Sequence, residues 1–221
     1  MNRNTYMGDR FRELRQLLRS YEVTGNEFDD TADRPGAALS AYQRSAGRDS
    51  ARVAAAVEEI DDLLTTGLFS DELADDIELL PHVTPPQGGS VEESLRIIRH
   101  HLTRPAEAPA DGSPTRPETS WEWREKFPGL AHFLTAYFHQ NFSLEYSSHE
   151  EAIDDYLSDS SSAETQQLTS ELEEFMMLNP SNTEMRQAAQ TLGLMISPPP
   201  GMTLRKWLEN VEVATAQHGK S

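Results

Sequence analysis

The sequence contains no cysteine. That excludes a disulfide framework and any thiolate metal site. Cationic side chains are scarce: 19 Lys and Arg face 37 Asp and Glu, for a formal charge of −18 over 221 residues. Nucleic-acid binding needs the opposite balance, because cationic side chains must displace counterions from phosphates. An anionic membrane surface is disfavoured for the same reason. No run approaches the ~20 apolar residues of a membrane span. The opening residues, Met1 to Tyr6, lead into a charged segment and lack the apolar core of a secretory signal. The expected compartment is the cytoplasm. Valine and isoleucine are also few, whereas Leu, Ala, Glu and Gln are common. These straight-chain residues lose little rotamer freedom in a helix, so the composition points to an all-α fold.

Signatures of catalysis are missing too. No His-Glu-x-x-His occurs among the seven histidines, and His132 and His139, seven apart, supply two ligands at most. No Gly-x-Ser-x-Gly elbow surrounds the serine run 158–162, which reads as a loop leading into a helix cap. Gly88-Gly89 precedes a helix without the Lys-Ser or Lys-Thr of a phosphate loop, and reads as a turn. Carboxylate pairs abound, but no single pair stands out as an acid and base; most read as polar helix faces. The sequence therefore points to a binding protein with no catalytic residues, metal or cofactor. A strong negative field favours a basic protein partner, because opposite fields steer encounter.

The chain divides at 105–120, where Pro105, Pro109, Pro114 and Pro117 predict an extended linker. Domains are expected at 1–104 and 121–221. Residues 1–120 hold 13 basic and 22 acidic side chains, and residues 121–221 hold 6 and 15, so each half carries −9. The halves also repeat one another. Phe11, Leu14, Leu17, Leu18 and Tyr21 have the same spacings as Phe127, Leu130, Phe133, Leu134 and Tyr137. Both sets form one face of a helix. Ala38 to Tyr42 parallels Ala152 to Tyr156, and Val57 to Ile60 parallels Leu172 to Phe175. Pro85 to Val91 parallels Pro198 to Leu204, and Leu95 matches Leu208. The offset drifts from 116 to 113, as small loop deletions would produce. Two tandem copies of a roughly five-helix module are expected.

In the first half, helices are expected near 9–21, 35–46, 50–65 and 70–80, with a last one capped by Ser90. In the second half they are expected near 128–141, 148–158, 162–179 and 183–194, with a last one from Thr203 to about 217. Pro128 suits a first turn. Ser148 reads as an N-cap, with Glu151 at the capping-box position. Phe142 to Tyr146 alternates briefly, but reads as a packed loop between helices.

One cluster exceeds what helix faces require. Tyr137, Phe138, His139 and Gln140 end the first helix of the second half, and Glu145 and Tyr146 follow. Aromatics beside adaptable polar groups make good binding anchors. At least one of Tyr137 and Phe138 has to point inward. Glu150, Glu151, Asp154 and Asp155 make the same end strongly negative. These ten residues are the candidate partner-binding site. The first half reads Tyr21-Glu22-Val23-Thr24 at the equivalent place and lacks the cluster.

The second half resembles the CdiI-type immunity proteins of contact-dependent growth inhibition and related polymorphic toxin systems. The runs FPGLAHFLTAYFHQNFSLEY, EEAIDDYL and PPPGMTLRKWL, within 125–215, carry the resemblance. Asn141-Phe142 departs from the acidic residue and Trp often found there. The first half keeps mainly the helical frame and the Pro-Pro-x-Gly-Gly turn. The resemblance implies a cytoplasmic protein that binds and neutralises a cognate toxin domain; many such toxins are nucleases. A nuclease cleft is basic because it holds phosphates, and carboxylates can stand in for them. The other class compatible with the composition is a non-enzymatic helical adaptor or regulatory scaffold. Nothing in the sequence sets the oligomeric state.

Overall fold

The computed structural model describes residues 10–46, 49–68, 73–104 and 116–218. Among these residues there are twelve α-helices, one 3-10 turn and no strand. An isolated bridge joins Glu27 to Thr84. The chain forms two compact units, Met1–Glu122 and Trp123–Ser221. Most of the expected linker, including Pro105, Pro109 and Pro114, lies outside the described residues. Its described residues 116–119 are irregular, and α6 (Ser120–Lys126) begins at its last residue and contains the unit boundary. Trp121 packs in the first core and Trp123 in the second.

The first unit holds α1 (Arg12–Arg19), the 3-10 turn Ser20–Thr24, α2 (Ala37–Ala46), α3 (Ser50–Thr66), α4 (Ala74–Glu78) and α5 (Val91–Leu102). The Phe11, Leu14, Leu17, Leu18 and Tyr21 stripe is buried, as its spacing predicts. The first helix is shorter than expected and tightens into 3-10 geometry, whose end is closed by Gly25 at φ 73°. The described part of the fourth helix is also shorter than the expected 70–80. Ser90 caps α5 by accepting from the Glu93 N–H at 3.1 Å.

The second unit holds α7 (Pro128–Tyr137), α8 (Phe142–Glu145), α9 (His149–Asp159), α10 (Ser162–Leu178), α11 (Asn182–Thr191) and α12 (Leu204–His218). α10 packs on α7 and α12, and α9 packs on both α7 and α12. Serines start three of these helices. Ser161 and Ser181 make reciprocal capping boxes with Glu164 and Glu184. Ser148 accepts from the Glu151 N–H at 3.1 Å.

Neither first helix supplies its own side-chain cap. A carboxylate from the seventeen-residue helix of each unit, α3 or α10, does so instead. In the second unit, Glu171 accepts from the Gly129 and Leu130 N–H groups at 3.2 and 2.7 Å. In the first, Glu59 accepts from the Glu13 and Leu14 N–H groups at 3.3 and 2.6 Å. Helix N-termini leave such donors without intrahelical partners, so a carboxylate there satisfies them and faces the positive end of the dipole. Glu171 thereby sets the start of α7, whose other end carries the candidate site.

Candidate partner-binding face

α7 stops at Tyr137, four residues earlier than its periodicity suggests. Phe138 leaves helical geometry at φ −124°, ψ 39°, and its ring is fully buried. It packs against Phe133, Phe142, His149 and Trp207 at centroid distances of 4.9, 5.7, 5.9 and 4.9 Å. Burying this ring requires the chain to turn. The turn is held by the Phe142 N–H donating to the His139 carbonyl at 3.1 Å and by the Asn141 N–H donating to His139 Nδ1 at 3.1 Å. With Nδ1 accepting, the ring proton is on Nε2, which faces Glu145 Oε2 at 3.3 Å.

The segment expected to be a packed loop is the single-turn helix α8. Phe142 anchors it among Phe138, Tyr146 and His149. Its alternation arises because one turn buries Phe142 and leaves Ser143, Leu144 and Glu145 exposed. Tyr146 is half-buried, stacks on Tyr137 at 6.2 Å and donates its hydroxyl to Asp155 Oδ2 at 2.7 Å. That bond to a carboxylate, with lesser desolvation, raises the Tyr146 pKa. Desolvation, with Asp155 and Asp159 nearby, raises that of Tyr137.

Glu151 departs from the expected capping box. Its Oε2 accepts from the N–H and Oγ of Ser147, at 2.7 and 2.6 Å. The Ser147 hydroxyl, then its N–H, pull the Glu151 pKa below the ordinary value. The carboxylate thus extends the cap of α9 one residue upstream of Ser148.

The result is a shallow, open acidic depression between α8 and α9, lined by Glu145, Tyr146, Glu151, Asp154, Asp155 and Ser158. Glu145, Glu150, Glu151, Asp154 and Asp155 are exposed. On α9 the exposed positions 150, 151, 154, 155 and 158 form one helix face, opposite buried Ala152 and Tyr156. The sequence contains no Lys or Arg between Lys126 and Arg186. The negative field of this face therefore has no cationic side chain within its own stretch of chain.

Of the ten candidates, the structure brings Tyr137, His139, Glu145, Tyr146, Glu151, Asp154 and Asp155 together. Gln140 is exposed on the adjoining turn, and Glu150 on the first turn of α9. Phe138 is different: it is core and supports the face from below. Leu144, at 84% exposure beside Glu145, was not among the candidates. Its exposure depends on the α8 turn, which sequence alternation alone did not reveal.

Residues 126–215 match the CdiI immunity protein family. The match spans α7 to α12 and includes every candidate residue. Family members are immunity proteins against toxins of contact-dependent growth inhibition, and generally act as non-enzymatic inhibitors. No curated protein and no solved structure matches the chain. Among the described residues, no group of three or more His, Asp or Glu is placed to hold a metal. No described helix is long and apolar enough to cross a membrane.

Acids of the first unit are engaged differently. Asp29 and Asp30 accept from the Ala37 and Gly36 N–H groups at 2.5 and 2.8 Å, starting α2, and Tyr21 donates to Asp30. Burial raises the Asp30 pKa. Arginines cover further acids: Arg52 pairs with Glu13 at 2.8 Å, Arg10 with Asp62 at 3.0 Å, and Arg44 with Glu122 at 2.9 Å.

Proposed function

We propose that this chain is a cytoplasmic immunity protein whose second unit binds a cognate toxin domain through the acidic face of α8 and α9. The toxin surface it meets is basic, and the reading extends to an active site or substrate-binding surface that the face covers. The carrying observation is the contrast in charge. The second unit presents Glu145, Glu150, Glu151, Asp154 and Asp155 outward, in a stretch without a single Lys or Arg. A negative field of this kind accelerates encounter with a basic partner. In the first unit, by contrast, capping bonds and arginines occupy many of the acids.

Co-expression with the toxin domain encoded beside this chain tests the reading. Cells are expected to survive with the wild-type chain; equal killing with and without it would sink the proposal. Alanine substitution of His139, Gln140, Glu145, Asp154 and Asp155 then tests the face. Affinity unchanged in all five would move the contact elsewhere.

We also read the two units as copies of one module. α3 and α10 each have seventeen residues, and each follows a side-chain N-cap, Asp49 and Ser161. Glu59 and Glu171 occupy the same position in these helices and cap the same turn of the first helix. This register aligns Ile60 with Leu172 and Leu63 with Phe175, all buried. It differs by three residues from the pairing of Val57 with Leu172 suggested by sequence. A shared carboxylate cap supports this register more than a short apolar pattern does, because a helix repeats such a pattern every three to four residues. The first copy would keep the frame and not the contact face.

A further inference from the structure

An acidic face speeds arrival, but exposed charges in water hold a complex weakly. A lasting complex also needs apolar anchors that lose water on contact. Among the described residues, the second unit exposes four large apolar side chains: Leu144, Met177, Met195 and Val213. Two of them belong to the end that carries the acidic face.

Leu144 is 84% exposed, yet its backbone is fixed. Its N–H donates to the Asn141 carbonyl at 2.8 Å, and the α8 turn around it is pinned by buried Phe142. Met195 is 66% exposed. Its N–H donates to the Phe138 carbonyl at 3.1 Å, and two residues on, the Ser197 carbonyl accepts from His149 Nε2 at 3.0 Å. Phe142 and His149, whose rings lie 5.0 Å apart, join these two attachments into one aromatic cluster. Leu144 and Met195 are thus held by the same aromatic cluster, with Glu145 and Glu150 exposed nearby in sequence. Rigid display reduces the ordering cost that binding would otherwise incur.

From this placement we infer that Leu144 and Met195 are the apolar anchors of the toxin contact, and that the partner carries an apolar socket within its basic surface. The inference rests on the toxin-binding reading of this face, and charge complementarity selects the occupant. Carboxylates form the rim and govern association. Leu144 and Met195 form the part that must be expelled before dissociation, with the thioether able to adapt its shape to the socket.

Binding kinetics of the full chain with the purified toxin domain encoded beside it, made inactive in its own active site, separate these roles. Leu144→Asn and Met195→Asn keep the charge unchanged. Each is expected to raise the dissociation rate about tenfold or more, with association within about twofold of wild type. Leu144→Met is expected to keep wild-type dissociation, because it preserves apolar volume. Thermal melting checks that each variant is folded. A dissociation rate within twofold of wild type for Leu144→Asn overturns the inference. If Asp154→Asn and Asp155→Asn still slow association in that case, the acidic-face reading stands and only the anchors fail. If the acidic variants also bind as wild type does, or if the wild-type chain does not bind, the underlying reading fails and the inference with it.

Discussion

At the scale of single residues, the carboxylates divide by what they bond. Glu171 accepts from two helix-starting N–H groups and from Gln167 Nε2 at 2.8 Å, in a site only 9% exposed. Glu171→Ala leaves those donors without a partner and is expected to cost about 1–3 kcal/mol. Chemical denaturation would measure it, and a change under a few tenths of a kcal/mol would show that water replaces the cap. Glu59→Ala is expected to cost a similar amount if the two units share one design. Glu151 bonds at the surface and reports through pH. Its folded pKa is depressed, so its contribution is present above the ordinary value of 4.5 and is lost as pH falls through the depressed value. Glu151→Gln should therefore melt below wild type at neutral pH, with the difference shrinking as pH drops below 4.5. A constant difference across that range would rule out the Ser147 bonds as its source.

At the scale of elements, caps and turns decide which residues reach the surface. Ser148 starts α9 and so aims its acidic face. Ser148→Ala should remove about 1 kcal/mol and, on the proposed reading of this face, weaken toxin affinity as well, read by melting and by affinity on one sample. Gly193 ends the α11 turn at φ 112°, and a Cβ there would overlap Thr135 Oγ1. Gly193→Ala is expected to destabilise by about 1–3 kcal/mol, from backbone strain and overlap combined. Wild-type stability in that variant would mean the turn can rebuild. Most helices were legible in sequence because their apolar stripes and Ser caps are local features. The ends of the first helices were less legible. α7 stops at Tyr137 because Phe138 finds a buried aromatic site among rings from α8, α9 and α12, and no local pattern reports such long-range packing.

At the scale of the whole molecule, charge has a measurable consequence. On the proposed reading, association with a basic toxin should slow by roughly tenfold or more between low and high salt, because screening shortens the field to a few ångströms. Stopped-flow mixing at several ionic strengths would show it, and a salt-independent rate would remove the electrostatic account. The two units meet between Glu122 and Trp123, with Trp121 in the first core and Trp123 in the second. Composition and Pro spacing could not tell which tryptophan belonged to which core, because that depends on long-range packing.

Sequence by itself determined the helical class, the acidic balance, the repeated stripe and the family likeness of the second half. Each follows from composition or from short-range spacing, which physical chemistry ties directly to helix propensity and charge. Tertiary structure decided which acids lie on an exposed face and which start a helix from a distance, that Phe138 is core, and that Leu144 stands in solvent. Those outcomes depend on partners far away in sequence, such as Glu171 for α7 and Trp207 for Phe138. A residue's role in binding follows from which of its neighbours claim it first, and only the folded chain brings those neighbours together.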